Sequence, residues 1–360
     1  MFKLCRSYVA LIVLGVAIAG CNSSSSNKGI SVPEKPSAPL TPTFVELGLE
    51  RHKVEKLLSI NDQIIALTDQ GLYRRDSTWQ ALTDTRYHVL AMATLSDNHW
   101  IASVKQNESA FFIETNDAGA TWQLFDDNFG GDYSSNEVAR TLVYDSEKQK
   151  LYATGLFVLA SSTDMGRSWT VEEGQWGSLG TGLGSILLHQ EKQDVWYGGQ
   201  NGIESPVLDQ FNTETYALTT HAQAIGEHLP SPSVIYQIII DPKNTDRIIA
   251  AGEGGIVHTT DYGDTWQGLL TEQNYRFHFS PVFDPKDQNI IYTAGWDKGA
   301  DIQPLILEMS KDDGQTWEAY TYEKQEFKGG VRSMLAVEES GKTVIYIGLY
   351  NNGVVKVTFE

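Results

Sequence analysis

The stretch "YQIIIDPKNTDRIIAAGEGGIVHTTDYGDTWQGLL", residues 236–270, alternates short apolar runs with polar punctuation. It reads as strand, Asp-Pro turn, strand, Gly-Gly turn, strand, polar octamer and strand. Runs of this length, rich in β-branched residues and bounded by Gly, Pro, Asn and Asp, are strand signals. At "DPKN" (241–244) and "DPKD" (284–287) the Asp opens a turn and the Pro presets its φ. The pattern predicts an all-β chain built of four-strand units.

The octamer inside that stretch recurs. "TNDAGATW" (115–122), "STDMGRSW" (162–169), "TTDYGDTW" (259–266) and "SKDDGQTW" (310–317) share the form [ST]-x-D-x-G-x-[ST]-W. Trp122 to Trp169 is 47 residues, Trp169 to Trp266 is 97, and Trp266 to Trp317 is 51. A shortened form, "RRDSTW", places Trp79 43 residues before Trp122. The step is that of a four-stranded propeller blade. The double step between Trp169 and Trp266 leaves room for a unit without an octamer, supplied by the apolar runs of 185–218. The last unit, 332–360, has three strands before the chain ends, and "TFVELGLE" (43–50) is the expected fourth. Pairing the two ends would close the ring and remove its open edge. The count is seven blades, with six or eight as alternatives.

The octamers, at Asp117 to Trp122, Asp164 to Trp169, Asp261 to Trp266 and Asp312 to Trp317, resemble the Asp-box or BNR repeat. That repeat is known from sialidases, sortilin-type receptors, xyloglucan hydrolases and the photosystem II assembly-factor family. The resemblance implies a single seven-bladed β-propeller over 44–360, with each octamer joining the third and fourth strands of a blade. There Asp would accept hydrogen bonds from its own turn, Gly would supply positive φ, and Trp would fill the seam between blades. A calcium loop is the rival reading. It needs six or more oxygens and commonly a distal bidentate Glu, which these octamers lack, so no metal is expected.

The N-terminus changes the picture of where such a body resides. Lys3 and Arg6 precede an apolar run from Val9 to Ala19. The run is too short to span a bilayer but suits a signal peptide. "IAGC" (18–21) resembles the lipobox of bacterial lipoproteins, which would make 1–20 the signal peptide and Cys21 the lipid-bearing N-terminus. Cys5 would be discarded, leaving no partner for an internal disulfide. Asn22, rather than Asp, points to the outer membrane, facing the periplasm or the cell surface. The remainder of 21–43 is a tether, with Ser23 to Ser26 followed by Pro33, Pro36, Pro39 and Pro42 at polyproline II spacing. The chain carries a net charge of −19, and without Lys3 and Arg6 the body is more acidic still. That excludes the basic footprint of a nucleic-acid binder.

Candidate chemistry is sparse. Four arginines, Arg86, Arg140, Arg276 and Arg332, stand at or just before expected inner strands. Tyr87, Tyr133, Trp176, Tyr275, Trp296 and Tyr350 lie near them in sequence. Arg with Tyr and Trp is the composition of a binding hot spot, and guanidinium forks suit carboxylates or sulfated sugars. In the photosystem II assembly-factor family, arginines gather on the propeller mouth, so the resemblance implies a protein partner there. Solvated or internally salt-bridged arginines are the alternative. A sialidase would carry an R-I-P motif near its start, which is absent. A xyloglucan hydrolase would place a catalytic base in a stretch similar to 66–84, matching Asp69. Cleavage needs a second carboxylate across the glycosidic bond, and in that family it comes from a second propeller, so Asp69 reads first as a turn residue. "GTGLGS" (180–185) and "GEGG" (252–255) lead into strands and are not phosphate loops. No cofactor is expected. The expected role is a non-catalytic, membrane-anchored binding or assembly module that engages a protein partner, with a glycan-binding protein or glycoside hydrolase as alternative.

Overall fold

A computed structural model describes residues 40–133, 137–178, 180–271, 276–297 and 299–360. Cys21, the signal peptide and most of the tether lie outside the described residues, as does Tyr275.

The described chain forms seven antiparallel sheets, each a blade. Blade 1 runs through Val54–Ile60, Gln63–Thr68, Gly71–Arg75 and Trp79–Ala81. Blades 2 to 5 repeat that meander, ending with the strand Gln267–Thr271. In blade 6 the innermost strand is split into Phe277–His278 and Val282–Phe283, both paired with Ile291–Trp296. Blade 7 has strands Val331–Glu339, Lys342–Leu349 and Val354–Phe359 from the C-terminus, and Pro42–Glu46 as its outermost strand. The register runs from Pro42 opposite Phe359 to Glu46 opposite Val355. The seven-bladed ring closed by its N-terminal strand is therefore the fold. Beyond the closing strand, Tyr322 and Lys324 of blade 6 both bond the Glu46 carboxylate, at 2.8 and 2.6 Å.

The core is distributed around the ring. Separate apolar clusters occupy the blade 1–2, 2–3, 3–4, 4–5, 5–6, 6–7 and 7–1 seams. This follows from the sequence. A central blade strand is apolar on both faces because each face meets a neighbouring blade, as in Ile248–Gly252, where all five residues are buried. The outermost strands, such as Leu218–Thr220, are exposed.

The octamers form one turn four times over. In the blade 5 copy, Thr259 Oγ1 donates to Asp261 Oδ1 at 2.7 Å and accepts the Gly263 N–H at 2.8 Å. Asp261 also accepts from Thr265, at 2.9 Å from its N–H and 2.6 Å from its hydroxyl. The copies at Asp117, Asp164 and Asp312 have the same bonds. The turn needs two successive residues at positive φ rather than Gly alone: Ala118, Met165, Tyr262 and Asp313 lie between 55° and 63°, each just before its Gly. The indoles then reach the preceding blade. Trp169 stacks on Phe112, Trp266 meets Trp196, and Trp317 Nε1 donates to the Leu269 carbonyl at 3.1 Å. Trp79, from the shortened copy, donates to the Leu47 carbonyl at 3.0 Å, just beyond the closing strand. Blade 4 lacks an octamer; there His221 stacks on Trp196 at 4.8 Å and accepts the neighbouring Trp266 indole at 3.4 Å.

Candidate functional site

The first strands of successive blades lie side by side around a central cavity of about 480 Å³. Their register is interrupted in a recurrent way. Glu55 in blade 1, Leu90 in blade 2, Tyr236 in blade 5 and Arg332 in blade 7 are each skipped in pairing with the second strand. In blade 4 the extra residues are Leu183 and Gly184. In blade 6 the split strand leaves Phe279 between its halves. Arg140 directly precedes the inner strand of blade 3. A bulge re-aims a side chain out of the ladder. Glu55, Leu90, Arg140, Gly184, Tyr236, Phe279 and Arg332 all line the cavity, one from each blade.

Glu55 is the most connected of them. Its carboxylate meets His88 Nε2 at 2.7 Å, Lys53 Nζ at 2.8 Å and Arg332 Nε at 2.5 Å, so it ties blades 7, 1 and 2 together. Its side chain is only 5 % exposed, which alone would favour the neutral acid. Burial raises its pKa, but Arg332, His88 and Lys53 outweigh burial and hold it far below the ordinary carboxylate range. The Arg332 guanidinium also sits 5.4 Å from the Phe279 ring centre and 6.0 Å from that of Tyr350. Tyr350 carries Lys53 over its face at 5.1 Å and stacks on Trp296 at 5.2 Å. Trp296 in turn stacks on Phe277 at 5.5 Å, and Tyr236 stacks on Phe279 at 3.9 Å.

Arg140 makes no side-chain hydrogen bond or ion pair among the described residues. Its Nε is buried without a hydrogen bond, and burial lowers its pKa against the longer-range attraction of Glu137 and Glu55. It lies over Gly182, where a Cβ would run into the guanidinium. Lys56, one residue past the blade 1 bulge, also lines the cavity, and burial pushes its ammonium pKa down.

Of the four expected arginines, the structure brings two, Arg140 and Arg332, to the cavity. Arg86 lies elsewhere: its side chain is 75 % exposed and clasps Asp84 two residues away. Arg276 is buried inside blade 6 against Glu308. Their sequence position beside a strand did not fix the side-chain direction: Arg332 faces the cavity from a bulge and Arg140 from the residue before its strand, whereas Arg276, also directly before a strand, turns into its blade. Among the aromatics, Trp296 and Tyr350 belong to the ladder beside Arg332. Tyr87 instead packs edge-on against Phe111, and Trp176 packs on Phe129 in blade 3, with Tyr133 lying over Gly177 nearby. Asp69 is a turn residue: it accepts the Lys53 N–H at 2.9 Å and tethers the first strand of blade 1 to its second. Glu55, Lys56, Tyr236 and Phe279 escaped the sequence reading. A signal existed in the local pattern apolar-x-x-apolar, seen in "VEKL" (54–57), "VLAM" (89–92), "ARTL" (139–142), "LGSI" (183–186), "IYQI" (235–238) and "VRSM" (331–334). Aligning the units on their octamers would expose it.

Among the described residues no cluster of three or more His, Cys, Asp or Glu side chains could hold a metal ion, and no helix is long and apolar enough to cross a membrane. No family model and no curated protein matches the chain. Its likeness to solved structures is one of fold. A GH74 enzyme from Niastella koreensis is 16 % identical with a TM-score of 0.66, over 87 % of this chain and 53 % of that one. YCF48 bound to D1 peptide is 15 % identical with a TM-score of 0.59, over 88 % and 96 %. The extracellular domain of BT3049, a putative hybrid two-component system of B. thetaiotaomicron, is 11 % identical with a TM-score of 0.61, over 89 % and 42 %. The chain spans about half the length of the GH74 enzyme. It thus shares the β-propeller scaffold of a GH74 enzyme, of a peptide-bound protein and of the extracellular domain of a two-component system alike.

Proposed function

We propose that this chain is a non-catalytic binding module that engages a protein partner at the mouth of its central cavity. The observation that carries the reading is the make-up of that mouth. Arg140, Arg332 and Lys56 face it together with Tyr236 and Phe279, and Glu55, the one carboxylate among its described lining residues, is engaged by three basic side chains. Cations and aromatics at a half-buried rim are what a hot spot uses. A hydrolase needs two carboxylates flanking its scissile bond, and Glu55 is engaged while Asp69 is spent on a turn. The peptide bound to YCF48 supports the protein-partner reading by analogy of scaffold. The octamers are of the Asp-box class on this reading. Cys21 carries the lipid that holds the module at the outer membrane on its Ser/Pro tether.

The second reading is glycan binding or cleavage. It is favoured by the GH74 fold match and by the ladder Phe277–Trp296–Tyr350 beside the cavity. Two experiments divide the readings. Affinity capture from solubilised membranes should recover a protein that Arg140→Ala/Tyr350→Ala loses while its circular dichroism stays native; capture that survives this double variant would remove the mouth as the site. A polysaccharide panel should show neither binding nor turnover; turnover abolished by Asp69→Asn would overturn the non-catalytic reading.

A further inference from the structure

Within this acidic molecule the cavity is the exception in sign. Its charged lining residues among those described are Lys56, Arg140, Arg332 and Glu55. Arg332 is spent on Glu55. Lys56 and Arg140 make no side-chain hydrogen bond or ion pair among the described residues. Arg140 Nε is fully buried and Lys56 is half-buried, and a cation withdrawn from water without a partner is costly. An apolar side chain of similar length would line the same wall at no such cost, so packing gives no reason for the ammonium of Lys56. Between and beyond the cations the wall is half-buried hydrocarbon from Leu90, Ile186, Ile239 and Val282. Blade 4 contributes Gly184 at the position where other blades place a side chain, and nothing lies within 4 Å of where its Cβ would be. That leaves open space on one side of the cavity.

We infer that the central cavity is an anion site for a carboxylate carried on an apolar body, with Lys56 as the cation inside it and Arg140 as the cation at its Gly182 wall. This rests on the binding-module reading and deepens it by naming the ligand chemistry. The carboxylate supplies the countercharge Lys56 lacks and the hydrogen-bond acceptor Arg140 lacks, and the apolar body covers the hydrocarbon wall. Inorganic anions satisfy only the first of these. The carboxylate has two sources, a free organic acid or the C-terminus of a peptide.

Calorimetric titration of the purified protein with 4-phenylbutyrate, with N-acetyl-Leu-Phe, with the amide of each, and with sulfate tests the site and separates the sources. At least one carboxylate should bind, its amide should lose tenfold or more, and sulfate should be weaker than the carboxylate. Lys56→Met and Arg140→Met should each weaken binding at least tenfold. Lys56 places no partner at risk and its cation is unpaired, so its variant should melt at or above the wild-type temperature. As an independent readout, the bound carboxylate should protect Lys56 from reductive methylation, read by mass spectrometry, while exposed Lys342 reacts unchanged. Binding of neither carboxylate, equal binding of acid and amide, sulfate as strong as the carboxylate, or affinity unchanged in a folded Lys56→Met protein would each overturn the site. Partner capture that is lost in Arg140→Ala/Tyr350→Ala but intact in Lys56→Met would sink this inference and leave the module reading standing.

Discussion

Two side chains show how single residues hold this ring. Glu55 joins three blades through Lys53, His88 and Arg332 at one nearly buried carboxylate. Removing one member of a buried ion-pair set leaves the others uncompensated, at about 3–5 kcal/mol. Glu55→Gln should lose about that much at pH 7 in urea unfolding. The pH dependence has a definite sign. Because the folded pKa of Glu55 is depressed, its contribution is complete above the ordinary Glu value of about 4.3 and is lost as pH falls toward the folded value. Wild-type stability should therefore drop between pH 5 and pH 2.5 more steeply than that of Glu55→Gln, so the gap between them narrows in acid. The indoles make the second case. Trp169 is 5 % exposed and contacts Phe112 and Phe129, and Trp169→Ala should cost about 3–5 kcal/mol. Trp79 is only half-buried, so Trp79→Ala should cost less when the two are compared by denaturant midpoint.

At the scale of elements, the strand Pro42–Glu46 is the piece on which closure depends. It pairs with residues 355–359 and stacks Phe44 on Tyr322 at 5.2 Å. Deleting residues 40–46 uncovers an edge strand of alternating Val residues, a template for pairing between chains. Such a variant should melt lower than wild type and run as dimers or larger species in size exclusion. A synthetic peptide of residues 40–50, added in trans, should raise the melting temperature and restore the wild-type elution volume; no effect of the peptide would mean that closure does not depend on this strand. The octamers and the apolar runs were legible as elements because each is local. The Asp, hydroxyl and Gly of each octamer bond within five residues of one another, so spacing alone reveals them. The bulges left only the faint apolar-x-x-apolar trace, since a bulge is a relation between two strands.

For the whole molecule, the acidic balance of −19 sets the long-range field. Like charges spread over one compact body repel, and salt at about 0.15 M screens separations beyond roughly 8 Å. The melting temperature at pH 7 should rise by a few degrees between 10 and 150 mM NaCl in scanning calorimetry. The buried Glu55 set is shielded from that effect, so Glu55→Gln should show the same salt increment as wild type. A ring of seams also has no central core to fail first; each blade depends on two neighbours, and closure couples the first seam to the last.

The sequence by itself determined the blade, its octamer turn and the strand that closes the ring, and pointed to seven repeats with six or eight left open. Each of these is written in local spacing: short apolar runs between turn residues, fixed octamer offsets and a step of about 48 residues. Only the tertiary structure decided which residues face the cavity. Arg140 and Arg332 reach it while Arg86 and Arg276 do not, because side-chain direction is set by how each segment pairs and packs across its blade, not by its place in the repeat. Lys56 acquires its meaning there too: it is an ordinary lysine along the chain, and becomes an uncompensated cation only when seven inner strands close around it.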